Sequence, residues 1–367
     1  MQTFAETKHS CREGRAMRVG TRRGFLVAAA AGAVLPAPYV LAQSNFMAPA
    51  RIRMGFAPYI SGGPYFIAEA RGYFKKLNIT IEPTSHVDGS LSMPALAAGE
   101  LDITGATLSA GLFNLMAKGA GLRMFMERGR EAPGWGSNSI MVSNALWEKG
   151  FRSVDGYRHA KGEKIGISSR GSVAHYLHAH GLARAGLKPD DLEWQWGMSP
   201  NVSLPLMKQG RIGIINLPLP GAYAAQKQGV GRVATWSDEI APNFVLACSV
   251  ASEKFLTANH NAAVRFCMAI MQGNMDFMDA AKTGNAEVLK IIADATGLTA
   301  PIIDETRPRW TFMTIDGTPN LPSIIAQQNY WRQNTDLLAR SVPEDQLFDS
   351  RAIVEAKRRM AEKNPFI

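Results

Sequence analysis

The chain has 367 residues, 46% of them hydrophobic, with 40 basic and 31 acidic side chains and a formal charge of +9. That length exceeds the range over which one hydrophobic core keeps growing, so two domains are expected. Six basic and two acidic residues fall in the first 42, which leaves about +5 on the remainder; no basic run there is interleaved with aromatics, so composition gives no case for nucleic acid.

In chain order, the first feature is a leader. Arg22 and Arg23 precede an apolar stretch from Phe25 to Val34, Pro36 and Pro38 break it, and Ala42 offers a small residue for cleavage. A charged start, a short apolar core and a small-residue exit make a secretory signal, here residues 1–42. Its core of about ten residues falls short of the roughly 20 that span a bilayer as a helix, which argues for a removed signal rather than an anchor. The paired arginines resemble the twin-arginine type, an address read by a receptor. No cysteine follows the apolar core to take a lipid, so a soluble exported product is expected.

After a short piece expected to be disordered (NFMAPA), Ile52–Pro58 reads as a strand, followed by the turn SGGP and the amphipathic helix YFIAEARGYFKK. Ile79–Thr84 is the next strand. A loop and helix, the strand LDITGATL, a helix over Leu112–Lys118 and a strand over Arg123–Glu127 complete a repeating α/β block. A second block alternates strands at Gly162–Ser168, LEWQWG, IGIINLP and GRVATW with helices. Ser139–Ala145 and Phe244–Val250 read as two crossings between blocks. Lobe 1 is then residues 43–141 plus 243–367, and residues 142–242 are inserted as lobe 2. Beyond Val250 the pattern turns helical, with a long helix over 255–281 that Gly273 weakens, and further helices over 285–295, 299–306, 321–338 and 344–362. PRWTFMTI reads as a strand or an extended arm.

Ligands of open parallel sheets settle beyond the carboxyl ends of strands, so the loops there are the candidate site. Ser61, Gly62, Gly63 and Tyr65 leave the first strand and enter a helix whose start presents free N–H groups; Tyr65 either meets a ligand or packs in its lobe. Asp88 belongs to the loop Asp88-Gly89-Ser90, where Ser90 either caps a helix alone or also faces the cleft. Ala106 and Thr107 follow the strand LDIT with small side chains that suit a pocket wall. Ser169, Arg170, Gly171 and Ser172 concentrate N–H groups, hydroxyls and one guanidinium in a short stretch. That stretch either binds an anion, with Arg170 bidentate, or caps a helix with Arg170 in solvent. Trp196, Asn216 and Asn243 are placed at the cleft mouth, at a strand end and at the return crossing. Arg128 and the pair Arg309-Trp310 are further candidates for an acid group or a ring.

Other groups read more blandly. His175, His178 and His180 share a helix without a neighbouring carboxylate and read as surface histidines. Cys248 and Cys267 either pair or stay as buried thiols. No catalytic residue, metal ligand set or cofactor is predicted: a G-x-S-x-G elbow, a metal-ligand cluster and a local Cys-His pairing are all missing from the sequence. Donors and aromatics without a nucleophile favour binding over turnover.

These stretches, in this order, resemble periplasmic solute-binding proteins of ABC importers, in the group that binds nitrate, alkanesulfonates, taurine and pyrimidine precursors. IRMGFAPYISGGPYFIAEARGYFKK, ALAAGELDITGAT and KIGISSRGSVAHYLHAHGLARAGL carry the likeness, which covers roughly residues 52–250. The resemblance implies an α/β fold, a two-lobed periplasmic binding protein of type II, each lobe a mostly parallel sheet flanked by helices, with two crossover segments. It implies a monomer in the periplasm, without cofactor, that closes on a small organic anion such as a sulfonate or carboxylate and delivers it to an ABC permease. Residues 61–65, 106–107 and 169–172 match cleft positions of that group. NLPLPGA departs from it, and Asn216 in place of an acid makes a cationic ligand less compelling. Nitrate, or a pyrimidine or thiamine precursor, is the alternative solute, and a secreted α/β enzyme with a dispersed site is the alternative activity.

Overall fold

Alternation in ARIRMGF buries Ile52 and Met54 completely and leaves Arg51 and Arg53 outside, which makes β1 (Ala50–Phe56) a strand with one face committed to a core. It opens the first sheet of a computed structural model that describes residues 45–86 and 92–367. The segment expected to be an export signal, residues 1–42, and the loop holding Asp88 lie outside the described residues. The further strands are β2 (Ile79–Ser85), β3 (Ile103–Thr107), β4 (Leu122–Glu127), β5 (Arg130–Glu131), β6 (Asn138–Val142), β7 (Lys164–Gly166), β8 (Glu193–Gln195), β9 (Ile214–Pro218), β10 (Arg232–Trp236), β11 (Phe244–Val245) and β12 (Ala247–Ser252).

Two five-stranded sheets result, in the orders β2-β1-β3-β12-β4 and β10-β6-β9-β7-β8. Each is mixed rather than uniformly parallel. In the first, β12 runs antiparallel to both β3 and β4; in the second, β6 runs antiparallel to both β10 and β9. These two strands are the ones the chain enters just after passing from one sheet to the other, so reversal of direction accompanies each passage.

Both passages run through a small antiparallel ribbon of β5 and β11, in which Phe244 faces Glu131 and Val245 faces Arg130. The first crossing therefore lies ahead of the one expected at Ser139–Ala145. Residues 139–142 belong to β6, and Asn144–Glu148 is a helix started by Ser143, whose hydroxyl accepts from the Leu146 N–H. The apolar run Phe244–Val250 is split at Leu246 into ribbon and sheet.

Helices cover the sheets, giving an α/β bilobed fold of the periplasmic-binding-protein type. Gly63–Ala70 packs on the long helix His260–Thr283 beneath the first sheet. That helix runs unbroken through Gly273, which the sequence marked as a weak point. The amphipathic stretch after SGGP breaks into Gly63–Ala70 and Tyr73–Lys76, because Gly72 takes a left-handed φ of 71°. PRWTFMTI forms no named strand and touches the ribbon through one bridge, Arg130 to Phe312. The first described residues are ordered against the protein, where the sequence suggested a loose end: the Phe46 ring lies 3.6 Å from the Arg359 guanidinium. One apolar cluster runs continuously from Leu112 and Phe113 through Phe244 and Trp331 to Tyr176 and Leu177, so the two lobes share buried surface. Cys248 and Cys267 are buried as free thiols.

Candidate functional site

The strand ends at which ligands are expected converge on one cavity of about 190 Å³. Tyr59, Ile60 and Ser61 come from the turn after β1, and Thr107 ends β3. Ser137 and Asn138 leave the ribbon for β6. Ser168, Ser172, Val173 and Ala174 follow β7, Met198 and Pro200 follow β8, and Asn216, Pro218 and Leu219 close β9. Leu246 and Thr311 complete the wall. Among the described residues, seven hydroxyls and two carboxamides thus share the surface with apolar groups, and none that lines it is charged.

Several wall groups are fixed by bonds that also set which atoms they present. The Asn216 amide nitrogen donates to the Ser139 carbonyl at 3.1 Å, which leaves its side-chain oxygen as the acceptor. Glu131 accepts from the Ser137 hydroxyl at 2.7 Å, from the Ser137 N–H and from the Ser237 hydroxyl, pinning the ribbon to the wall. Burial pushes the Glu131 carboxyl up from its ordinary range against the pull of those donors. Thr311 is 1% exposed, and its hydroxyl has no hydrogen-bond partner among the described residues.

The Ser168–Ala174 stretch is positioned from behind by a histidine. Ser172 caps the helix Val173–Arg184 and accepts from the His175 N–H at 3.4 Å. His175 Nδ1 in turn accepts from the Gly171 N–H at 3.1 Å, and its ring meets Trp194, Trp196 and Trp331 with centroids 5.1–5.3 Å away. Burial, with the charge of Arg170 adding to it, lowers the His175 pKa to about 4, so the ring is neutral at neutral pH. His178 is fully buried against the Tyr157 hydroxyl at 2.7 Å, and burial lowers its pKa to about 3. Neither is the surface histidine that the sequence suggested.

Of the residues singled out from the sequence, Ser61, Thr107, Ser172 and Asn216 meet in this wall. Gly62 and Gly63 do not. A Cβ on Gly63 would sit 2.4 Å from the Phe277 ring, so this glycine serves helix packing. Tyr65 is buried among Phe56, Phe66 and Phe74, with centroids 5.5–5.9 Å apart, and offers its ring to the core rather than to a ligand. Ala106 alternates away from Thr107 and is buried.

Ser169 and Arg170 are exposed. Arg170 pairs with Asp336 at 2.8 Å and lies over Trp196 at 5.9 Å, an arrangement closer to the second of the two sequence readings, a helix cap with Arg170 in solvent. Trp196 stacks on Trp194 at 5.0 Å outside the wall. Gly171, with φ of 78°, is held at a close contact where its carbonyl accepts from the Ala110 N–H at 3.0 Å. Asn243, with φ of 62°, bonds Glu131 and Asn320 through its backbone beside the ribbon.

Sequence reasoning missed Ser137, Asn138 and Thr311. The first two were legible in principle, since they adjoin a crossing; Thr311 arrives from a stretch with no periodic signal. No group of three or more His, Cys, Asp or Glu able to hold a metal ion occurs among the described residues, and none of their helices is long and apolar enough to cross a membrane.

Comparison with known proteins places this arrangement. A model of the NMT1-like family matches residues 47–293. Among curated proteins none matches. Solved structures with the same fold include the ligand-binding component of an ABC-type import system from Staphylococcus aureus, at 15% identity and TM-score 0.69, covering 84% of this chain and 99% of that one. The periplasmic aliphatic sulphonate binding protein of Escherichia coli matches at 20% identity and TM-score 0.65, covering 81% of this chain and 91% of that one. The periplasmic nitrate-binding protein of Synechocystis PCC 6803 matches at 14% identity and TM-score 0.69, covering 87% and 91%.

Proposed function

Because the chain belongs to the NMT1-like family, we propose that it is the periplasmic solute-binding component of an ABC importer, which captures a small organic anion between its lobes and hands it to a membrane permease. The observation that carries this reading is the cavity itself. It lies where strand ends of two sheets face each other, it is lined by hydroxyls and carboxamides on one part and by Ile60, Val173, Met198, Leu219 and Leu246 on another, and among the described residues no histidine ring bonds a hydroxyl of its wall.

Its volume of about 190 Å³ is below the roughly 300–1,000 Å³ of drug-sized pockets, which suits a small solute. Among the described residues the wall holds no acid to meet a cation. The apolar part gives an organic solute something to bury, which nitrate would leave unused. Lobe 1 is taken as 43–141 with 243–367 and lobe 2 as 142–242; membership of β6 in the second sheet supports moving the first border toward Asn138.

A thermal-shift screen of the exported protein across alkanesulfonates, aromatic and aliphatic carboxylates, nitrate and pyrimidines tests the reading. A ligand held at 100 times its Kd contributes about 2.7 kcal/mol to the folded state, a rise of several degrees at this size. The compound should be recovered unchanged. Its conversion to product would move the assignment to a secreted enzyme, and stabilisation by pyrimidines alone would replace the organic anion.

A further inference from the structure

Among the described residues, Arg128 is a cation near the cavity without a partner. Arg128 follows β4, its backbone N–H donates to the Ala247 carbonyl at 2.9 Å, and its side chain crosses β12 to reach β3. A Cβ built on Gly105 would fall 1.3 Å from Arg128 Nη1 and 2.4 Å from Cζ, so the guanidinium occupies the space that a side chain at Gly105 would fill. Among the described residues the guanidinium makes no hydrogen bond and no ion pair. The neighbouring acid, Glu127, is committed to Arg130 at 2.6 and 2.8 Å and to the Asn320 N–H at 2.8 Å. The titratable groups that act on Arg128 are Cys248 and Tyr65. Both are pushed up by burial and stay neutral at neutral pH. Burial lowers the Arg128 pKa to about 10, which still leaves the cation charged.

Arg128 is partly buried, and a charge that gives up part of its hydration without gaining a partner is costly. Strand alternation says where this one lies. Gly105 and Thr107 are two apart on β3 and share a face, so the guanidinium rests on the face that carries Thr107 into the cavity wall, about 7 Å further along the strand. A second, independent observation points to the same floor. The orphaned hydroxyl of Thr311 belongs to a side chain that packs beside the next residue, since a Cβ on Gly129 would lie 2.5 Å from Thr311 Cγ2. Thr107 and Thr311 line the cavity, and Arg128 lies beyond Thr107 on the same face of β3, so three polar groups without bonded side-chain partners are gathered toward one end, whereas Arg170 is spent on Asp336.

We propose that Arg128 is the residue that recognises the charge of the solute, holding a carboxylate or sulfonate head group at the first-sheet floor of the cavity, with Thr107 and Thr311 donating to its remaining oxygens and Gly105 left without a side chain to make room. This rests on the solute-binding reading above and names the polarity within it: the anionic head lies toward the first sheet, the organic remainder toward Met198 and Leu219 of the second. Arg128 acts by direct contact, as a planar donor fork matched to such oxygens.

The test uses ethanesulfonate, propionate, benzenesulfonate and benzoate as probes, with propionamide and benzenesulfonamide as neutral counterparts, titrated calorimetrically into wild type, Arg128→Met, Arg128→Lys and Gly105→Ala. At least one anion should bind wild type, and Arg128→Met should weaken it by about 30-fold or more, which is about 2 kcal/mol. Gly105→Ala should weaken it comparably by displacing the guanidinium, Arg128→Lys should retain part of the affinity, and the amides should be indifferent to all three changes. In the ligand-free protein Arg128→Met should melt no lower than wild type, because the charge it removes had no partner; this reading needs no ligand. Equal anion affinity in wild type and Arg128→Met overturns the proposal while leaving the binding function intact. So does a wild type that takes only neutral solutes. A ligand-free Arg128→Met that melts well below wild type assigns Arg128 to folding instead.

Discussion

Single residues divide by whether their neighbours in sequence or their neighbours in space decide their job. Ser61, Thr107, Ser172 and Asn216 were legible because each lies toward the carboxyl end of a strand or in the segment that follows one, and that is where the cavity forms. The glycines were not. Gly63 reads as a ligand loop from its place in SGGP, yet its lack of a Cβ is used against Phe277. Gly273, which reads as a helix weakness, is the point where two helices touch: a Cβ there would lie 2.2 Å from the Pro64 carbonyl oxygen. That contact is backbone, so no side chain can yield. Gly273→Ala should therefore cost about 1–3 kcal/mol through overpacking, although alanine favours helix. Thermal denaturation should show the midpoint falling by several degrees; a rise would mean that helix propensity outweighs the close approach. Arg170 failed as a candidate for the opposite reason, since its partner Asp336 lies 166 residues away.

Elements were read well in position and poorly in direction. Eleven of the strands fall within stretches that alternate or run apolar, but the same pattern serves a parallel and an antiparallel neighbour, so the reversal of β6 and β12 left no trace in the sequence. The helix Val173–Arg184 shows the same limit. Its histidines have no acidic neighbour in sequence and look superficial, whereas three tryptophans from other elements bury one of them. This burial makes the element sensitive to acid. Unfolded histidine titrates near 6.5, whereas the folded values are about 4 for His175 and about 3 for His178, so between those limits the unfolded chain binds more protons. The stability is complete above about pH 6.5 and is lost as pH falls toward 4 and below. Protonation of His175 Nδ1 would also set a donor against the Gly171 N–H and loosen the turn that holds Ser172. Thermal midpoints measured from pH 7.5 to 4.5 should fall more steeply in wild type than in His175→Gln. Parallel curves would remove His175 as the acid-sensitive group.

At the scale of the whole molecule, the two lobes meet through ion pairs, two of which are open to water on both sides. Arg170 pairs with Asp336 at 2.8 Å, Lys227 with Glu305 at 2.5 Å and Arg309 with Asp238 at 3.3 Å, each joining the second lobe to the C-terminal segment of the first. In the first two pairs every side chain is more than a third exposed, and such pairs contribute about 0–1 kcal/mol apiece. Together they are enough to tilt an open–closed balance without making closure irreversible, which suits the solute-binding role proposed above. The double variant Asp336→Ala/Glu305→Ala removes both pairs and touches no residue of the cavity wall. It should shift the ligand-free protein toward the open form by at most about 30-fold, the equivalent of roughly 2 kcal/mol. Small-angle scattering should then show a larger radius of gyration before ligand is added and the wild-type value at saturation. Affinity should fall by the same factor at most, chiefly through faster dissociation, and high salt should bring wild type toward the variant. An unchanged radius with unchanged affinity would mean that the shared apolar surface around Phe244, Tyr176 and Trp331 alone sets the closed state.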